Sequence, residues 1–117
     1  MNASYIDIDG LKIRVDKVVG IYHIWPLSRA VDRLPFAQFK ITVVQTPEGY
    51  YQASPNVVVR NSQTGCNEYT CGLGSSIEEA VHDAIRYFFI EVDKQSENRK
   101  SENRELGEED FIWINHI

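Results

Sequence analysis

Between Gly72 and Val92 the chain reads Gly-Leu-Gly-Ser-Ser-Ile-Glu-Glu-Ala-Val-His-Asp-Ala-Ile-Arg-Tyr-Phe-Phe-Ile-Glu-Val, and no other stretch limits the fold as much. Ser75 and Ser76 are both N-cap candidates, each with a glutamate three residues on, Glu78 or Glu79, which is the spacing of a capping box. From there Ile77, Ala80, Val81, Ala84, Ile85, Phe88 and Val92 fall on one helical stripe, while Glu78, Glu79, His82, Asp83 and Arg86 lie away from it. The pattern predicts an amphipathic helix laid across one face of a sheet.

The strands come before it. Residues 5–15 alternate apolar and polar around Asp9-Gly10, a hairpin signal that pairs Ile8 with Leu11, Ile6 with Ile13, Asp7 with Lys12 and Tyr5 with Arg14. Strands are expected over 4–8 and 11–16, then Val18 to Ile24, with a short helix from Leu27 to Leu34 before Pro35. Phe36 to Gln45 and Tyr50 to Arg60 carry strand-like residues on either side of the turn Thr46-Pro-Glu-Gly49. A turn at Asn61–Gly65 then makes Cys66 to Cys71 a return strand. These elements predict an α+β fold, with an antiparallel sheet of about five or six strands and one principal C-terminal helix packed on one face.

A chain of 117 residues supports one core, expected over residues 1–95. From Lys94 onward hydrophobicity falls, so residues 96–110 read as an acidic polar linker beyond a fraying helix, with Ser-Glu-Asn-Arg occurring at 96–99 and again at 101–104. Apolar character returns in the segment 111–117, where Phe-Ile-Trp-Ile either docks back as a strand or presents a hydrophobic hook. Charge is uneven: residues 91–110 hold eight Asp/Glu against four Lys/Arg, and the rest of the chain holds nine against eight. An acidic chain without a basic stripe disfavours nucleic acid, whose phosphates must be neutralised, and favours a basic protein partner. The absence of a signal-like N-terminus and of a long apolar run leads to the expectation of a cytoplasmic protein that binds no membrane.

The chemistry-bearing residues do not assemble into a catalytic set. Asp7 faces Lys12 and Asp9 sits in a turn, so neither is poised for acid-base work. Cys66 and Cys71, with His23, His82 and His116, lack the paired spacing of a zinc site; one buried and one partly exposed thiol is expected, and no metal or cofactor. Gly72-Leu-Gly74 before a helix has the look of a phosphate loop, but Glu78 and Glu79 would repel an anion there.

From Phe39 to Val92 the chain resembles the HicB-type antitoxin domain, a β-β-β-α unit. The likeness lies in Thr46-Pro-Glu-Gly-Tyr-Tyr-Gln-Ala-Ser-Pro55, Gly65-Cys66 and Gly74-Ser-Ser-Ile-Glu-Glu-Ala-Val-His-Asp-Ala-Ile85. The resemblance implies a toxin-masking or adaptor domain, here without a recognisable DNA-binding module after Val92. The functional expectation is a small acidic, non-enzymatic inhibitor or adaptor that masks a basic protein. Its contacts are expected at Glu108, Glu109, Asp110, Phe111 and Trp113, and self-association through an exposed sheet edge is expected too. The alternative is a small ligand-binding protein or enzyme with its site at the Gly72–Ser76 loop, using His82 or Asp83.

Overall fold

Two turn residues in the left-handed region, Asp9 (φ 50°) and Gly10 (φ 80°), close the first hairpin, β1 (Ser4–Ile8) against β2 (Leu11–Val15), in the register that the sequence predicts. In this computed structural model, which describes residues 1–114, the hairpin forms a two-stranded sheet of its own. After Asp16 the chain runs on as β3 (Lys17–Ile24), which bulges between Val18 and Gly20 and pairs with β4 (Phe39–Gln45). The expected short helix is a 3-10 turn over Ser28–Arg33.

The expected single strand from Tyr50 to Arg60 is divided at Asn56 into β5 (Tyr51–Pro55) and β6 (Val57–Arg60). The Asn56 amide donates to the Lys40 carbonyl, its carbonyl accepts from the Ile114 amide, and its side-chain oxygen accepts from the Lys40 amide. With its polar groups so engaged, it hands the chain from one sheet to another. β5 joins a four-stranded antiparallel sheet of order β3-β4-β5-β8, with β8 at Gly72–Gly74, while β6 is central in a three-stranded sheet between β7 (Asn67–Glu68) and β9 (Phe111–Trp113). The fold is therefore α+β, with nine strands among the described residues shared by three antiparallel sheets, and the return strand from Cys66 to Cys71 reduced to β7.

The helix α1 spans Ile77–Lys100. Ser76 is its cap, accepting from the Glu79 amide at 3.1 Å, and the Glu79 carboxylate reaches back to the Ser75 amide and hydroxyl at 2.9 and 2.7 Å. Its stripe meets Phe39, Ile41, Val43, Ala53, Val57 and Val59 in one core, with Ala80, Ala84, Phe88 and Val92 fully buried and Ile77, Val81 and Ile85 packed at the margin.

The helix approaches β8 closely: a methyl group on Gly72 would lie 2.1 Å from the Ala84 nitrogen and 2.3 Å from the Ala80 carbonyl oxygen. Both are rigid helix backbone. Gly72→Ala should accordingly destabilise the protein by about 2–3 kcal/mol through overpacking, read as a lower urea midpoint; an unchanged midpoint would mean that the helix can lift from the sheet.

Candidate protein-interaction surfaces

The helix does not fray near Gln95. Its stripe continues through Gln95 and Arg99, both essentially inaccessible to solvent, and a charge at that depth needs partners. The Arg99 guanidinium donates to Asp110 Oδ1 at 3.0 Å, to Gln95 Oε1 at 3.0 Å and to the Arg60 carbonyl at 2.7 Å. Arg104 donates to the same Asp110 oxygen at 2.8 Å, and the Gly107 amide to Asp110 Oδ2 at 2.9 Å. Residues 101–110 thus form a tight return rather than a solvated linker, ending in a 3-10 turn at Glu108–Asp110.

Beyond the return, Phe111, Ile112 and Trp113 pair with Val59, Val58 and Val57, so of the two fates open to this segment the structure adopts the docked strand. The ring of Phe36 stands edge-on to both Phe111, 5.0 Å away, and Trp113, 4.9 Å away. Residues 115–117, including His116, lie outside the described residues.

The five expected contact residues therefore separate. Asp110 and Phe111, 3% and 4% exposed, are turned into the molecule and are not available to a partner in this fold; Glu108, Glu109 and Trp113 face solvent. Strand alternation and the 3-10 turn make the division. The sequence signal that could have found the inward pair is the continuation of the helical stripe, 88-92-95-99, across a change from apolar to polar residues.

A second exposed surface lies at the opposite end of the chain. Leu11 is 63% exposed, Ile8 52% and Ile13 41%, on one face of the β1-β2 arm together with Ile6. The reason is geometric. Lys17, Gln45, Tyr51 and Gly74 stand in one row across the sheet, and α1 begins only at Ile77, so the arm extends past the end of the helix that covers the sheet. Tyr5 hydroxyl to the Glu48 carboxylate is a contact between arm and body, and β3 is an edge strand with Val18 and Ile21 exposed.

The other expected chemistry is dispersed. In the Gly72–Ser76 segment, Gly72 and Gly74 are pressed against helix backbone, which leaves no room for a ligand beneath them. Asp83 accepts from the Leu73 amide at 3.0 Å and from Arg86 at 2.7 Å, and these bonds, Arg86 first, hold its carboxyl below the usual range; His82 is exposed on the helix. Both thiols are exposed, contrary to the expectation of one buried: Cys66 closes the surface turn that precedes β7, and Cys71 lies in the segment that connects β7 to β8. No group of three or more His, Cys, Asp or Glu is placed to hold a metal among the described residues. A shallow cleft of about 340 Å³ is lined by Tyr69, Thr70, Cys71, Tyr87, Ile90 and Glu91, where burial raises the Glu91 carboxyl above its ordinary value. No helix among the described residues is long and apolar enough to cross a membrane.

No protein-family model, curated protein or solved structure matches this chain.

The Asp110 network sets a pH dependence. Burial alone would raise this carboxyl, but hydrogen bonds from Arg104, the Gly107 amide and Arg99 outweigh it and hold the group down from 3.8 to about 2. A depressed folded value stabilises the protein above the unfolded one and loses that stabilisation as pH falls from near 4 through 2, about 2 kcal/mol in all. Urea titrations at a series of pH values should show Asp110→Asn clearly less stable than wild type at pH 6, with the gap closing toward pH 2. A gap independent of pH would contradict the network.

Proposed function

We propose that the protein is a non-enzymatic binding module that occupies the surface of a basic protein partner, as an inhibitor or adaptor. One observation carries this reading: the buried Arg99–Asp110 pair and the β6-β9 ladder hold residues 108–113 rigidly, with Glu108, Glu109 and the half-exposed Trp113 directed outward. A fixed aromatic anchor beside two carboxylates binds with little loss of side-chain freedom, which is what makes such groups efficient contacts. The part of the chain that carries them is acidic, since residues 61–117 hold twelve Asp/Glu against five Lys/Arg. The HicB-like reading of such a module, in which the masked partner would be a toxin-like basic chain, rests on the sequence resemblance alone, since five strands precede the helix between Phe39 and Val92 where that unit has three.

Truncation after Gln95 does not test this reading, because it removes Arg99, Asp110 and Phe111 from the interior. Point changes at exposed positions do. Glu108→Lys, Glu109→Lys and Trp113→Ala together should leave the fold intact by circular dichroism, yet abolish co-purification of a basic protein that wild type captures and releases as salt is raised. Capture that is undiminished in the triple variant would remove the C-terminal segment from the contact.

A further inference from the structure

The chain is more extended than its length requires. Its Cα radius of gyration is 16.2 Å and its longest dimension 52 Å, where a compact chain of this length has a radius of about 13 Å. The accessible surface is 7430 Å², against about 6,500 Å² for a compact monomer of this mass, an excess of roughly 900 Å². A standard protein interface buries about 800 Å² on each partner, so the surplus is of the size that one interface would cover. The projecting β1-β2 arm contributes to this excess, and its apolar face of Ile6, Ile8, Leu11 and Ile13 has no helix over it. A two-stranded hairpin is marginal in water without a third element against its face.

Charge identifies the occupant. Residues 1–24 hold Asp7, Asp9 and Asp16 against Lys12, Arg14 and Lys17 and are neutral, so the net charge of −5 lies wholly in the remainder. Two copies of an acidic chain meet with least repulsion where each is neutral, whereas a basic partner would be drawn to the other end. β3 follows the arm directly in the chain, and as an edge strand it offers backbone groups that an identical edge, run antiparallel, can pair with.

From this we infer that the protein is a two-fold homodimer, in which the arm face and the β3 edge of one copy are covered by the same elements of the other. The contact is distinct from the C-terminal surface proposed above, so each can fail without the other.

Sedimentation of the full chain tests it. Wild type should run at twice 13.5 kDa at micromolar concentration and stay associated through a tenfold rise in salt, since an apolar, neutral contact is not screened. Ile8→Lys with Leu11→Lys, at positions already exposed, should give a monomer whose circular dichroism matches wild type. Ile21→Lys at the β3 edge should weaken the dimer at least tenfold. A monomeric wild type, in which case the arm would serve some other partner, would overturn the inference, as would a dimer unaffected by the arm substitutions.

Discussion

The placement of residues 101–114 depends on one buried ion pair, Arg99 with Asp110. Arg99 sits where the helix stripe would otherwise present another apolar side chain, and its charge is tolerable there only because Asp110, Gln95 and the Arg60 carbonyl all accept from it. The same guanidinium thus ties three pieces together: the last turns of α1, the end of β6 and the return that delivers β9. Replacing Asp110 alone would leave the Arg99 charge without a counter-ion in the interior, whereas Asp110 keeps Arg104 if Arg99 is lost. The arrangement therefore specifies where the C-terminal segment goes more than it adds net stability. An apolar pair of similar volume could hold the segment as firmly, but would not discriminate as sharply between this docking and a neighbouring one.

Much of the architecture was legible in the residues. The Asp9-Gly10 turn gave the register of β1 and β2 residue for residue, and the Ser-Ser-x-Glu-Glu run placed the helix start within one residue. Both signals are local, and local chemistry survives in any tertiary setting. The failures involve residues whose role is set by distant partners. Gln95 and Arg99 look like solvent-facing positions until Asp110 is folded back upon them, and a reading based on hydrophobicity stops the helix at that point. Asn56 looks like an ordinary strand residue; only the Lys40 and Ile114 backbones, far from it in sequence, make it the point where the chain changes sheets. The proposed C-terminal surface was half legible: acidity and aromatics drew attention to residues 108–113, but which side chains face outward was fixed by pairing with β6.

The two ends of the chain carry different physics. Residues 61–117 hold twelve Asp/Glu against five Lys/Arg and include the pinned Trp113, whereas residues 1–24 are neutral and carry apolar side chains beyond the reach of the helix. Under the two proposals, attraction at the first end would weaken with salt, and at the second it would not. A protein built this way can hold two contacts at once, because neither uses the residues or the forces of the other.

The tight seating of α1 on Gly72 bears on how far association can proceed. β8 is the edge of the four-stranded sheet opposite β3; it is only three residues long, and helix backbone is pressed against its two glycines. With a helix so near and so few backbone groups to offer, that edge is a poor template for a further strand, while the β3 edge lies open. A sheet that can be extended on one side only cannot propagate. Joined edge to edge, it stops at two molecules, and the glycines that bring the helix down on β8 thereby also act as the terminator that keeps a sticky strand from building a fibre.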